Sequence, residues 1–176
     1  NNIEPFEDKD FLSLLKWRVS RKTKNWDNVE NQILYKPTLQ RSQNLKLTLI
    51  GHSTVLVQIN NINILTDPHY SQRSSPLPWA GPKRIIQPSI KFDDLPPIDL
   101  VLISHNHYDH LDTTTLKMLS DKFSPQILVG LGNKVTLESE GILNVHELDW
   151  WDQFEYKGIP IYFTPVQHWS ARGLLD

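Results

Sequence analysis

The chain has 176 residues, 39% hydrophobic and 22% charged, which suits one globular domain with a sizeable core and excludes disordered and collagen-like classes. The absence of cysteine excludes a disulfide framework, thiolate zinc sites and cysteine nucleophiles, and no apolar run approaches the roughly 20 residues of a membrane span. A net charge of -2, from 18 Lys+Arg against 20 Asp+Glu, argues against a general nucleic-acid binder.

Near the N-terminus, Phe6, Phe11, Leu14, Leu15 and Val19 form a helical stripe. Glu7, Asp8 and Asp10 come early and bases come late, the order a helix dipole favours. Residues 16–24 hold five bases (Lys16, Arg18, Arg21, Lys22, Lys24) and no acid, in the company of Trp17 and Trp26. This run reads either as a solvated helix end or as contact with an anionic surface such as phospholipid headgroups.

From Leu45 the pattern turns to strands. Leu45, Leu47 and Leu49 alternate with Lys46 and Thr48, and residues 55–59 follow as a second strand. Asn60-Asn61 signals a hairpin into 62–66, which delivers Asp67-Pro68 at its end. The proline-rich stretch 68–97 has little periodicity, and so long a loop inside a compact domain is usually functional. Residues 100–104 read as a buried strand, 113–119 as a helix and 127–129 as a strand. A helix over 133–140 stops at Gly141, and strands follow at 145–148 and 161–163. The alternation predicts an α/β fold with a substantial sheet.

His105, His107, Asp109 and His110 stand within six residues where the strand 100–104 leaves the sheet, the place where α/β sheets put ligands. Residues i and i+2 of an extended segment point the same way, so His105 and His107 can ligate one metal. A following turn can swing Asp109 and His110 towards a second ion. Imidazole and carboxylate donors without thiolate suit Zn2+, and also Mn2+ or Fe.

This HxHxDH pattern after an apolar strand resembles the metallo-β-lactamase superfamily of binuclear hydrolases. Gly51-His52-Ser53-Thr54-Val55-Leu56-Val57, Leu65-Thr66-Asp67-Pro68, Gly81-Pro82-Lys83-Arg84 and Leu95-Pro96-Pro97-Ile98-Asp99 are similar to the N-acyl-phosphatidylethanolamine phospholipase D group. So are the stretches 104–112, Glu147-Leu148-Asp149-Trp150-Trp151 and Gln167-His168-Trp169, and the similarity runs from residue 45 to residue 176. The resemblance implies an α/β fold of the αββα sandwich type, of which this chain would hold mainly the N-terminal half. Residues 1–44 would be an N-terminal helix and extended lead-in, and 45–176 the metallo-β-lactamase-like domain, incomplete at its C-terminal side.

Position by position, the resemblance implies His105, His107 and His168 as ligands of a first metal. It implies Asp109 and His110 for a second, Asp109 also orienting the attacking water, and Asp67 as the carboxylate that supports the loop through hydrogen bonds. The family's bridging aspartate and final histidine fall beyond His168, where residues 169–176 hold one Asp and no His. Tyr108 and His52 are candidates on the substrate side, with His52 reading equally as a turn residue. Trp150 and Trp151 read first as core aromatics and otherwise as the lining of a substrate channel, and Trp169 is expected to pack behind His168.

The implied activity is metal-dependent hydrolysis with two zinc ions, of the phospholipase D type, on N-acyl-phosphatidylethanolamine or another phospholipid, phosphodiester or small ester. A sugar-phosphate lactonase is the enzyme alternative and would act on soluble substrates. The other alternative is an inactive metal-binding half-domain whose uncovered sheet face needs a partner chain, through homodimerisation or domain exchange. No nucleic acid is expected as a partner. The compartment stays open, between a soluble protein and one at a membrane surface through the basic N-terminal stretch, with no transmembrane segment in this chain.

Overall fold

Burial alternates along β1 (Lys46–Gly51) and β2 (Thr54–Ile59) and is continuous from Ile62 to Leu65 in β3 (Ile62–Thr66), and the three pair as an antiparallel meander. The computed structural model of the protein describes residues 10–22 and 40–173. These fall in two units, Asn1–Glu30 and Asn31–Asp176. Asn60 and Asn61 turn β2 into β3 with φ of 49 and 60, the left-handed pair that a two-residue hairpin demands and asparagine tolerates.

The sheet continues with parallel strands β4 (Leu100–Leu102), β5 (Gln126–Gly130) and β6 (Val145–Leu148), in the order β1-β2-β3-β4-β5-β6. Parallel neighbours need crossovers. Here α2 (Thr113–Phe123) joins β4 to β5, and α3 (Lys134–Ser139) joins β5 to β6. Helix α2 starts where the Asp112 carboxylate accepts from Thr115 N and passes the predicted end at Leu119, stopping at left-handed Ser124. A separate hairpin, β7 (Gln153–Tyr156) and β8 (Ile159–Tyr162), follows the sheet. Its first strand escapes sequence reading, because two aromatics alternating with Gln153 and Glu155 over four residues give little signal.

The two faces of the sheet are covered differently. On one, Leu56, Leu65, Val101, Ile127 and Val129 pack with Leu116 and Leu119 of α2 and Leu137 of α3. On the other, Ile64, Leu100, Leu128 and Leu148 meet Phe154, Ile159 and Ile161 of the hairpin. On β1, Ile50 joins the first of these clusters, whereas Leu47 and Leu49 stay 63% and 65% exposed.

In the N-terminal unit, α1 (Phe11–Ser20) begins where the Asp10 carboxylate accepts from Ser13 N at 2.8 Å. Leu12, Leu15, Trp17 and Val19 are exposed on it, and the Arg21 guanidinium lies 5.0 Å from the Trp17 ring centre. Phe6, Glu7, Asp8, Lys24 and Trp26 of the predicted stripe and basic run lie outside the described residues. Among the described residues, no helix is long and apolar enough to cross a membrane.

Candidate metal centre

Strand direction gathers the candidate residues at one edge of the sheet. β3 and β4 are parallel, so Asp67, just past β3, lies beside the segment that leaves β4. β2 runs against β3 and pairs Val55 with Thr66, which brings the β1–β2 turn carrying His52 to the same edge. His168 arrives from the irregular segment that follows β8.

Two groups of donors result. The donor atoms of His105, His107 and His168 all lie within 4.8 Å of one another, and so do those of His52, Asp109 and His110. In the first group His105 Nε2 faces His107 Nδ1 at 2.9 Å, and the His168 ring stands edge-on to both, 4.6 and 5.1 Å between centres. Burial, and then the neighbouring His110, His107 and His168, pull the His105 pKa down to about 4. His107 is lowered by the same causes, burial first and then His168. Both are therefore neutral near pH 7, the form in which imidazole binds a metal.

Asp67 fixes which nitrogens are offered. Its buried carboxylate accepts from Ser104 N (2.7 Å), Ser104 Oγ (2.7 Å) and His110 Nδ1 (2.9 Å). Ser104 Oγ in turn accepts from His105 Nδ1 at 2.9 Å. Both imidazoles thus carry their proton on Nδ1 and turn Nε2 towards the site, the arrangement by which hydrogen-bonded carboxylates orient metal-binding histidines. Asp67 has φ 35, an unfavourable conformation for a residue with a Cβ, held here by these contacts. In the second group Asp109 Oδ2 lies 2.8 Å from His52 Nε2 and 3.6 Å from His110 Nε2. Burial works to raise the Asp109 pKa, but its own backbone, His110 and His52 together outweigh that and keep it below the usual range.

Tyr108 is engaged by the segment that follows His168. Its hydroxyl donates to Arg172 O at 2.9 Å, and it lines a cavity of about 470 Å³ with Asp112 and Arg172. Trp169 packs against His107 (ring centres 4.4 Å apart) and stands farther, 6.3 Å, from His168. Trp150 and Trp151 are not core residues: they are 46% and 72% exposed, because the chain turns at Trp151 with φ 72. Trp150, Phe163, Val166 and Trp169 instead line a cavity of about 240 Å³ that reaches His105 and His168. Sequence reading also misses the residues that tie the His168 segment to the 104–110 loop. Ser170 Oγ donates to Asn106 Oδ1 (2.6 Å) and accepts from Asn106 N (3.2 Å). Arg172 Nη1 donates to the carbonyls of Asn106 (3.0 Å) and Leu111 (2.7 Å).

These residues fit a divalent cation. The donors are imidazoles and a carboxylate without thiolate, a set that suits zinc, and hydrogen bonds set the tautomers of His105 and His110.

The sequence profile of the beta-lactamase superfamily domain matches residues 62–176. An N-acyl-phosphatidylethanolamine-hydrolyzing phospholipase D of Caenorhabditis elegans is 40% identical over 140 residues, covering 73% of this chain and 39% of that protein. A mitochondrial one of Saccharomyces cerevisiae is 41% identical over 133 residues, 73% of this chain and 28% of its own. An uncharacterized protein of Mycobacterium tuberculosis is 33% identical over 181 residues, 98% of this chain and 49% of its own. The chain thus spans less than half the length of these relatives. Among solved structures, a diiron beta-hydroxylase from Streptomyces venezuelae is similar with a TM-score of 0.54 and 25% identity, over 70% of this chain and 24% of that one. A metallo hydrolase from Ignicoccus hospitalis shares the fold with a TM-score of 0.52 and 21% identity, over 72% of this chain and 50% of its own.

Proposed function

The chain belongs to the beta-lactamase superfamily, and from that membership we propose that it carries the metal site of a hydrolase that cleaves a phosphodiester of an N-acylated phospholipid. The convergence of His105, His107 and His168 carries this reading. The relatives named for hydrolysis of N-acyl-phosphatidylethanolamine support the choice of substrate. His105, His107 and His168 would hold one divalent cation, zinc by the nature of the donors, and Asp109 with His110 would serve a second.

A cation held here supplies Lewis acidity, which makes water a nucleophile near neutral pH and polarises a phosphoryl oxygen. The chain's own residues do the orienting. Asp67 and Ser104 keep Nε2 of His105 and His110 directed inward. Asp109, held ionised, is placed to orient the attacking water and to accept its proton on a carboxylate oxygen. Water adds to phosphorus, the bond from phosphorus to the ethanolamine-side oxygen breaks, and that oxygen leaves with a proton. The products are a phosphatidate and an N-acylethanolamine. Trp150, Phe163 and Trp169 give the adjoining cavity apolar walls suited to an acyl chain, and the exposed Trp17 and Val19 among the bases of α1 suit a lipid surface.

The test uses vesicles of N-acyl-phosphatidylethanolamine, with the released N-acylethanolamine measured by mass spectrometry. Zinc-dependent release by the wild type should fall to background in His105→Ala and in His168→Ala. Release that survives either change sinks the assignment, and turnover of soluble lactones in place of the phospholipid would favour the lactonase.

A further inference from the structure

We propose that His52 is a protein donor to the second cation, forming with Asp109 and His110 a three-donor site. The inference rests on the hydrolase reading above and goes beyond it. The pattern this chain resembles draws its second site from Asp109, His110, a bridging aspartate and a late histidine, and His52 lies ahead of the matched region 62–176.

Three observations carry it. The first is convergence: Asp109 Oδ2 lies 2.8 Å from His52 Nε2 and 3.6 Å from His110 Nε2, and the three donor atoms lie within 4.8 Å of one another. Donors about 2.0–2.2 Å from one tetrahedral zinc lie roughly 3.3–3.6 Å apart, so small movements would seat one ion among them. The second is backbone cost. The β1–β2 register slips between Leu49 and Gly51, and His52 then takes φ 52, a left-handed conformation that a residue with a Cβ seldom adopts. Such conformations persist where the surroundings hold them and cluster at functional sites. This one brings the His52 ring edge-on to His110, 5.3 Å between centres.

The third is the contrast with His69, whose ring centre lies 6.5 Å from that of His52. His69 is buried, and both its nitrogens are engaged, Nδ1 by Arg84 and Nε2 by Ser74 Oγ at 3.2 Å. His52 is half exposed and aims Nε2 at the donors of the second group. One of the two neighbouring histidines is thus locked into the proline-rich loop, while the other faces the site.

The competing role for His52 is a hydrogen bond that merely steadies Asp109, and metal stoichiometry separates the two. Metal-free protein is titrated with Zn2+ by calorimetry, and bound zinc is counted by mass spectrometry after dialysis. The wild type should bind two ions, and His105→Ala should lose the first. His52→Ala should keep the first and lose the second by more than the roughly 10–100-fold that removal of an outer hydrogen-bond partner costs. His52→Gln, which can still donate to Asp109, should lose it equally, and it carries the test if His52→Ala does not fold. A second ion held by His52→Gln within about tenfold of the wild-type affinity, or a wild type that binds one ion, overturns the proposal. If His105→Ala keeps both ions, the first site and the hydrolase reading fail instead.

Discussion

Two of the segments that supply imidazoles, the 104–110 loop and the stretch carrying His168, are held in opposite ways. The 104–110 loop leaves an interior strand, and one buried carboxylate, Asp67, accepts from the Ser104 backbone, the Ser104 hydroxyl and His110. His168 rides on a segment without regular structure, whose Val166 and Trp169 are largely exposed. That segment meets the loop through side chains, Ser170 to Asn106 and Arg172 to the carbonyls of Asn106 and Leu111. One part of the donor set is therefore preorganised by the sheet, and the other is docked onto it. Preorganised donors should fail together with the fold, and docked donors should fail alone.

The largest effect should come from the preorganised side. Asp67→Ala leaves three donors without their acceptor at a position 6% exposed. Unfolding by denaturant should show a loss of about 2–5 kcal/mol, and zinc affinity should drop roughly 10–100-fold. A stability loss under about 1 kcal/mol would mean that the carboxylate does not brace the loop, and the contrast between the segments would break.

Arg172→Ala probes the docked side and should act mainly on metal. Its guanidinium spans two carbonyls of the loop and lies 4.1 Å from the Tyr108 ring centre. Affinity for the first ion should fall about tenfold, against a loss near 1–2 kcal/mol in metal-free stability. Arg172→Lys should not restore binding, because an ammonium lacks the planar face that stacks on Tyr108. Equal weakening of both ions would show that Arg172 serves the whole edge of the sheet.

The same division explains what the sequence discloses. The α/β fold and the parallel strands are legible because apolar runs and turn residues are local signals, and the HxHxDH donors share six consecutive residues. Asp67 is legible as the residue that ends a strand. The Asn106–Ser170 pair joins positions 64 residues apart, and neither residue carries a periodic signal. The place of His52 depends on strand direction: only the meander of β1, β2 and β3 beside parallel β4 brings that turn to the metal edge. The reading of Trp150 and Trp151 as core aromatics misleads for the opposite reason. Aromatics near a strand end usually enter the core, but here the left-handed turn at Trp151 carries them outward.

The smallest effect should come from Ser170→Ala, and it sharpens the contrast most. Ser170 is exposed and Asn106 half-buried, so water replaces the lost hydroxyl and metal-free stability should change by less than about 0.5 kcal/mol. The tether nonetheless helps hold His168 near His105 and His107, so without it more of the ordering must be driven by the ion itself. Trypsin cleavage after Arg172 reads this directly. In the wild type, zinc should slow the cut by drawing His168 onto the loop, and Ser170→Ala should need several-fold more zinc for the same protection. Identical zinc dependence would show that Arg172 and Trp169 dock the segment without help from Ser170.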